Sequence, residues 1–501
     1  MNSPNNPTFQ HSNIPAVCLV SLGCAKNTVD SELILGRFVE SGWMIAEEPE
    51  NADICLVNTC GFIEDAREEA SSVLHELKAV GGPKAVVALG CLVKRAVDCP
   101  ETDHFLAAAD ARATFDDYSR LPEICANLLR NHPETIVGPT SCIQEPVGYT
   151  EFLTQPRLRT GSPHTAYLKI SEGCSNPCTF CSIPKIRGKQ ISRPMDDIIA
   201  EAQSLIEAGA IEISLIAQDT TAYGKEWDGE LHLKELLERL RDEIDANVWF
   251  RLMYACPQHL TRGVLEVLAS DPRFCPYIDM PLQHISDSML EAMGRTFPAQ
   301  QNVLTVEAKN IEQGISNQEG TIPSVGGVRE ARGGSSPENG STKFQTLEKL
   351  DLIREVLPDC AIRTAFIVGH PGETDADFNE LLEFVKEGRF THAGVFTYSV
   401  EPGTLSAKMK NDIPVEVKEE RRALLMEAQR EASAARCALQ VGKTVEVMID
   451  GSGEEGLIAR SQHEAPEVDG VFFLPDFEDA VPGDRYDVEI THAFDYDFAA
   501  E

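Results

Sequence analysis

The chain has 501 residues, of which 42% are hydrophobic, and this length and composition predict about three packed domains. It has no run of 18 apolar residues, which excludes a membrane-spanning protein. Its start is polar and rich in Asn and Pro and lacks the apolar segment of a secretion signal, so a cytoplasmic and not a secreted protein is predicted. The fifteen cysteines are better explained by metal-bound thiols in a reducing cytosol than by disulfides. The net charge of −36 predicts a surface that repels phosphate backbones and attracts basic partners.

Residues 14–134 alternate strand and helix patterns after a tail, 1–13, that is predicted to be disordered. The helical patterns lie at 28–40 and 64–79, and the strands are apolar, β-branched runs of the kind found in parallel sheets. The predicted strands are Ala16–Leu22, Asp53–Asn58 and Ala85–Leu89. This pattern predicts an α/β domain on a parallel sheet, and residues 135–163, with several Pro, Gly and Thr, are predicted to be a linker.

The alternation of strands and helices restarts at residue 164 and runs to residue 436. Six strands separated by helices predict a parallel, partly closed (β/α) barrel. The strands are Tyr167–Ile170, Ile211–Ala217, Trp249–Tyr254, Tyr277–Met280, Ile362–Val368 and Ala393–Tyr398. Residues 298–342 interrupt this rhythm with seven Gly, five Ser and no aromatic residue, so they are predicted to be a disordered insertion, with helix resuming at Thr346–Val356.

The last segment, residues 440–501, changes to short β-like runs. The runs are Thr444–Ile449, Gly456–Ala459, Gly470–Leu474 and Tyr486–Ile490. They predict a small β-barrel of the oligonucleotide-binding type. This segment holds sixteen Asp and Glu against three Lys and Arg, a net charge of −13.

Cys174, Cys178 and Cys181 form a CxxxCxxC pattern directly after the first barrel strand. A cubane iron–sulfur cluster has four irons and thiolates are its usual ligands, so three local cysteines leave one iron open to a small molecule. The pattern resembles the signature of the radical S-adenosylmethionine (SAM) enzymes, in which the open iron binds SAM and one electron cleaves it to a 5′-deoxyadenosyl radical. The alternative is a structural zinc site, but no fourth ligand follows Cys181 at short spacing.

The N-terminal domain has a second set of cysteines, each placed directly after a predicted strand: Cys24, Cys60 and Cys91. The loops that follow parallel strands meet at one edge of the sheet, where ligands bind. Three thiolates at equivalent positions, beside Gly or within turns, therefore favour a second cluster. The alternative is that all three are buried and act as small hydrophobic residues.

Polar residues and glycines also follow the barrel strands, where the sites of α/β barrels lie. The candidate cofactor-binding residues are Gln218, Asp219, Gln283, Arg363, Gly369 and Gly372. The glycines either form turns or let the backbone approach SAM closely. His284 is equally compatible with a structural and a functional role, and Cys256 is the one remaining cysteine that is ambiguous, because it also follows a barrel strand.

The whole layout resembles that of the methylthiotransferases, over nearly all of residues 14–498 except the insertion. Three strings carry a particular resemblance to the RimO-type branch of this family: Ile170-Ser171-Glu172-Gly173-Cys174, Pro281-Leu282-Gln283-His284-Ile285-Ser286-Asp287, and residues 459–470 beginning Ala459-Arg460-Ser461. The resemblance implies an N-terminal domain with an auxiliary 4Fe-4S cluster, a radical SAM barrel and a C-terminal TRAM domain. The insertion and His370, where an aromatic residue is more familiar, depart from the family pattern.

The resemblance also implies a reaction: a methylthio group is added to the β-carbon of an aspartate of ribosomal protein S12. Two 4Fe-4S clusters and SAM would serve as cofactors, with an electron donor such as flavodoxin or ferredoxin and a separate sulfur donor. A side chain cannot activate such a C–H bond by acid–base or nucleophilic chemistry, so a cofactor must act. The sequence assigns no catalytic side chain.

Two other functions stay open at this point. The nearest is a tRNA adenosine methylthiotransferase, although a C-terminal segment at −13 makes tRNA a poor partner and a basic protein such as S12 a good one. The acidity is also compatible with a solvated surface or with the proteome of a salt-adapted organism. The more remote function is a non-catalytic iron–sulfur electron carrier, which predicts four cysteines per cluster rather than three.

Overall fold

A computed structural model gives the fold. It describes residues 14–131, 153, 156–297, 341–453, 456–475 and 480–501. The predicted tail, most of the predicted linker and nearly all of the predicted insertion lie outside the described residues, and the predicted domain boundaries stay predictions. Among the described helices, none combines the length and the apolar character that crossing a membrane requires.

The first unit is a five-stranded parallel sheet with the order β2-β1-β3-β4-β5. Its strands are β1 Ala16–Ser21, β2 Met44–Ile45, β3 Ile54–Thr59, β4 Ala85–Gly90 and β5 Ala111–Ala113. Its helices are α1 Ala25–Glu40, α2 Glu64–Val80, α3 Cys91–Asp98 and α4 Leu121–Asn131. The three predicted strands are confirmed within one or two residues; β2 and β5 escaped prediction because two or three residues are too few to give a pattern.

The second unit is a six-stranded parallel sheet with the order β13-β12-β11-β10-β9-β6, which confirms the predicted partial barrel. Its strands, with the small hairpin β7–β8, are β6 Thr165–Lys169, β7 Ser171–Glu172, β8 Ile191–Ser192, β9 Glu212–Ile216, β10 Trp249–Leu252, β11 Phe274–Asp279, β12 Ala361–Val368 and β13 His392–Thr397. Each strand is followed by one or more helices, as the alternation predicted.

The helices of this second unit are α5 Ile183–Ile186, α6 Met195–Glu207, α7 Lys225–Asp228, α8 Leu233–Glu243, α9 Arg262–Ser270, α10 Asp287–Ala292, α11 Thr342–Val356, α12 Asp375–Lys386 and α13 Val415–Ala438. Helix α11 begins four residues earlier than predicted, because the Ser341 side chain accepts a hydrogen bond from the Phe344 N–H at 3.2 Å and caps the helix there.

The third unit is a closed barrel of five strands with the order β14-β15-β16-β18-β17, which confirms the predicted small β-barrel. Its strands are β14 Thr444–Gly453, β15 Gly456–Ser461, β16 Phe472–Leu474, β17 Arg485–Ala493 and β18 Phe498–Ala500. Strand β18 was not predicted, since it too has only three residues. The core of this C-terminal barrel is made by alternating apolar residues such as Val447, Ile449 and Val488.

The C-terminal barrel is fixed to the central sheet by buried charges. The Glu212 carboxylate, on β9, lies 2.7 Å from Arg251 Nε and 2.9 Å from an Nη atom of Arg460, which belongs to the barrel. All three side chains are at most 2% exposed. Arg485, also from the barrel, lies over the Trp249 ring and donates to the backbone of the central unit. Two of the three cations of the C-terminal segment are therefore used in this interface.

Candidate functional site

A cavity of about 380 Å³ lies where the loops that follow β1, β3 and β4 face the loops of the central sheet. Seven cysteines line this space, which we call the cysteine cavity. Six of them are the two predicted trios; the seventh is Cys256. The cysteine cavity thus brings together groups that are as far apart as residues 24 and 256 in the sequence.

The N-terminal trio consists of Cys24, Cys60 and Cys91, and two of the three lie at the starts of helices. Cys24 is the N-cap of α1 and Cys91 is the first residue of α3, so the positive ends of two helix dipoles favour thiolates there. Asn27 ties the loops together, because its amide donates to the carbonyls of Leu22 and Thr59 at 2.8 and 3.2 Å. The loops thus hold the three thiols at one edge of the sheet.

Glycine is required beside this trio. Gly23 has a φ of +94°, and a Cβ at that position would lie 2.8 Å from the Cβ of Cys60. Any other residue would be strained at this φ, and its Cβ would push Cys60 away from the neighbouring Cys24.

Two cations set the protonation of this trio. Desolvation by burial raises the pKa of Cys24, but the charges of Lys26 and Arg187 lower it, and the pKa lies below its ordinary value overall. Burial raises the pKa of Cys91 to about 12, against the opposing charge of Arg187, whose Nε lies 3.2 Å from the Cys91 sulfur. Cys24 is therefore the readiest thiolate of the three, and metal binding must displace protons from its neighbours.

The second trio consists of Cys174, Cys178 and Cys181, in the loop after the β7 strand. Gly173, with a φ of +70°, precedes Cys174 and packs against the Lys189 carbonyl so closely that a Cβ would collide with it. Burial raises the pKa of Cys174 to about 11 and that of Cys181 to about 12. The buried Arg295 guanidinium lies 3.8 Å from the Cys178 sulfur, where it stabilises a thiolate.

A hydrogen-bonded chain orients the loop of the second trio. The Asn176 amide of this loop donates to Asp219 at 2.8 Å, and Asp219 also accepts from His259 Nδ1 at 2.8 Å. The ammonium of Lys225 can only donate, so the 2.9 Å contact makes His259 Nε2 the acceptor and leaves Nδ1 to donate to Asp219. Burial raises the pKa of Asp219, but the hydrogen bond from His259 lowers it below its ordinary value overall.

Asp219, Cys256 and His259 have ligand atoms within 4.8 Å of one another, the one such group among the residues that the structure describes. All three already have hydrogen-bond partners: Asp219 and His259 in the chain just described, and the Cys256 sulfur with Gln258 at 2.7 Å and with Arg295 at 3.5 Å. The group therefore serves to hold the loop rather than to bind metal.

The other predicted site residues fall into two groups. Gln218, Asp219 and Gln283 line the cysteine cavity. Arg363 does not; it pairs with Asp279 and with the barrel residue Asp469. Gly369 and Gly372 do not line the cavity either, and Gly369 packs against a lysine side chain of α13. The assignment of these residues to SAM stays a prediction.

Other residues are settled or added by the structure. His284 is fully buried, accepts from the Ser286 N–H at 3.0 Å and pairs with Glu373, which favours a structural role. Sequence reasoning missed Lys26, Arg187 and Arg295, which line the cysteine cavity. For Lys26 a signal existed, since it lies two residues after a predicted ligand; no pattern in the sequence indicated the two arginines.

Three stretches of the chain match known families. Residues 16–105 match the Uncharacterized protein family UPF0004, residues 168–317 the Radical SAM superfamily, and residues 441–501 the TRAM domain. A relative named ribosomal protein uS12 methylthiotransferase RimO, from Anaeromyxobacter sp. (strain K), is 38% identical over 96% of this chain and 92% of its own. Relatives of the same name from Geobacter sulfurreducens and Clostridioides difficile are 36% and 35% identical, each over 97% of this chain and 98% of theirs.

The chain belongs to the ribosomal protein uS12 methylthiotransferase RimO family. It is therefore a radical SAM transferase, and the family implies SAM and 4Fe-4S cofactors. The fold is also similar to that of a solved radical SAM methyltransferase, TsrM from Kitasatospora setae, with a TM-score of 0.50 at 13% identity over 77% of this chain and 73% of that one. The predicted family, fold class and enzyme type are confirmed.

Replacing Cys256 by alanine is expected to leave the iron content of the reconstituted protein unchanged. The Cys256 sulfur donates to Gln258 at 2.7 Å, and the two trios already supply three thiols to each cluster, so Cys256 is not needed as a ligand. Iron and sulfide analysis of the variant beside the wild type would measure this. A loss of iron would make Cys256 a fourth ligand and would favour an electron carrier.

Proposed function

We propose that this protein adds a methylthio group to the β-carbon of an aspartate of ribosomal protein S12, using one 4Fe-4S cluster on each cysteine trio. The observation that carries the proposal is that both trios line one cavity of about 380 Å³. A single substrate side chain in that cavity would reach both trios. An electron carrier has no need of such a space between its clusters.

The residues of the cavity fit two clusters. Each trio supplies three thiols, the ligand type that such clusters take, and leaves one iron for a further ligand. Each trio also has one buried guanidinium aimed at a sulfur, Arg187 at Cys91 and Arg295 at Cys178. Hydrogen bonds of this kind stabilise a cluster's sulfur ligands and tune its reduction potential.

The chain itself positions and shields the reaction. When bound, the clusters and SAM supply the one-electron chemistry and the sulfur, which no side chain provides. Asn176, Asp219 and His259 hold the loop of the second trio in place. Phe62, Phe180 and Tyr254 line the cavity with aromatic surface that excludes water and protects reactive intermediates.

Electrons and sulfur must come from outside the chain. We propose a flavodoxin or ferredoxin as the electron donor and a separate sulfur donor, since repeated turnover consumes both. A ribosomal substrate would also place the enzyme in the cytoplasm, as the sequence predicted.

The charge of the C-terminal barrel supports S12 over tRNA. The segment has sixteen acidic residues, and of its three cations Arg460 and Arg485 are used in the interface with the central sheet. The third cation, Lys443, donates to Gln440 at 3.0 Å. Such a surface repels a phosphate backbone and steers a strongly basic protein.

A competition between substrates is expected to give methylthiolated S12 and unmodified tRNA. The reconstituted enzyme would receive S12, tRNA, SAM and reductant in one reaction, and mass spectrometry would measure both products. S12 in which the modified aspartate is replaced by asparagine serves as the control and should stay unmodified. Methylthiolation of tRNA adenosine with none on S12 would reject the proposal in favour of the tRNA enzyme.

A further inference from the structure

Lys26 is a buried cation that faces the cysteine cavity. Its side chain is 6% exposed, and its Nζ lies 3.0 Å from the centroid of the Tyr254 ring. Among the residues that the structure describes, no carboxylate forms an ion pair with it and no acceptor forms a hydrogen bond with it. An ammonium on so little exposed a residue, with no bonded counter-charge, favours an anion in the cavity that it faces.

The other cations of the cavity already have partners. Arg187 pairs with Glu172 and Asp30 at 2.9 and 3.0 Å. Arg295 donates to the Pro281 carbonyl at 2.6 Å and faces sulfur atoms. Lys26 therefore has three N–H donors for a ligand, whereas both terminal nitrogens of each guanidinium are already engaged.

Three anions lie near enough to influence Lys26 by charge, but none is bonded to it. Glu172 pairs with Lys169 and Arg187. Asp279 is held by the Tyr254 N–H at 3.2 Å and by Arg363 at 3.5 Å. Cys24, two residues away, interacts with Lys26 by charge, but as a cluster ligand its thiolate would be bonded to iron. A second, competing role for Lys26 is thus to offset the charge of the cluster on Cys24.

We propose that the Lys26 ammonium binds the side-chain carboxylate of the substrate aspartate. This inference rests on the proposed function and adds the residue that recognises the substrate. In aspartate the carboxylate is bonded directly to the β-carbon, so an anchor on Lys26 fixes the reacting carbon one bond away. Tyr254 closes the other side of the ammonium, and Lys26 follows Cys24 closely, so the anchored carbon would lie beside the N-terminal trio.

The anchor would make the enzyme selective for aspartate over asparagine. Asparagine has nearly the same shape, so shape alone cannot reject it. A buried ammonium can, because the amide leaves its charge without a partner. Removing one partner of a buried charge pair weakens binding by about 30-fold or more.

The test measures equilibrium binding of S12 to the reconstituted holoenzyme with SAM and without reductant, so that no turnover occurs. Wild-type S12 is compared with S12 whose target aspartate is replaced by asparagine. The wild-type enzyme is expected to prefer aspartate by about 30-fold, Lys26→Met to bind both forms equally, and Lys26→Arg to keep part of the preference. Lys84→Met, at a side chain that is 69% exposed, should keep all of it.

The outcomes separate this inference from the proposed function. A Lys26→Met enzyme that still prefers aspartate would overturn the role of Lys26, while wild-type enzyme that fails to bind S12 would overturn the proposed function itself. If Lys26→Met does not fold, Lys26→Gln is measured in its place. Loss of half of the iron in both neutral variants would assign Lys26 to the cluster on Cys24 and would also overturn the inference.

Discussion

Replacing Cys174, Cys178 and Cys181 together by alanine is expected to halve the iron content, from about eight to about four per chain, and to abolish SAM cleavage. These thiols lie in one loop that faces the cysteine cavity, and the SAM-binding iron depends on all three. Iron and sulfide analysis after anaerobic reconstitution would measure the first effect. Detection of 5′-deoxyadenosine after reduction would measure the second.

The triple alanine variant of Cys24, Cys60 and Cys91 is the matched comparison. It should lose the same amount of iron and should keep SAM cleavage, but it should transfer no methylthio group, because the sulfur would be inserted from that side of the cavity. If both triple variants cleaved SAM equally well, or if neither lost iron, the assignment of ligands would be wrong.

Asp30→Asn is expected to cost about 3–5 kcal/mol of the free energy of unfolding. Asp30, on α1 of the first unit, pairs with Lys169 and Arg187 of the central unit, and Glu172 pairs with the same two cations. The four side chains are at most 10% exposed, and their charges cancel. Removing one carboxylate leaves two buried cations to share the other. Denaturant unfolding of the apoprotein, followed by circular dichroism, would measure the change.

Glu40→Gln provides the control for this prediction on the same helix. Glu40 pairs with Arg37 at 3.2 Å, but its side chain is 42% exposed, so its loss should change stability by less than about 1 kcal/mol. Equal effects of the two substitutions would show that the buried charges do not hold the two units together.

The cysteine trios and most of the long strands were predictable from sequence for local reasons. A ligand spacing such as CxxxCxxC and an apolar strand such as Ala85–Gly90 are patterns within a few residues. The convergence of Cys24, Cys60 and Cys91 was also predictable, because the carboxyl ends of neighbouring parallel strands share one edge. None of these inferences required knowledge of how the units pack.

The rest depends on packing between units, which the sequence does not encode locally. Arg187 and Arg295 gain their role only where two sheets meet, so no spacing indicates them. Conversely, Arg363, predicted to bind the cofactor from within the fifth barrel strand, lies near the amino end of β12 and pairs with Asp469 of the C-terminal barrel. The place of a residue in a barrel strand is predictable from the sequence, but the neighbouring unit that its side chain contacts is not.

The buried charges that fix the C-terminal barrel have a consequence for domain exchange. Arg460 reaches Glu212 in the central sheet, and Met448 and Ala465 of the barrel belong to the same apolar core as Trp249 of that sheet and Leu33 of α1. The C-terminal barrel is thus packed against the other two units through buried contacts and is not an independent module joined only by a linker. If this barrel were grafted onto a related enzyme, it would transfer its substrate preference only if the recipient's central sheet carried residues that match Glu212 and Trp249.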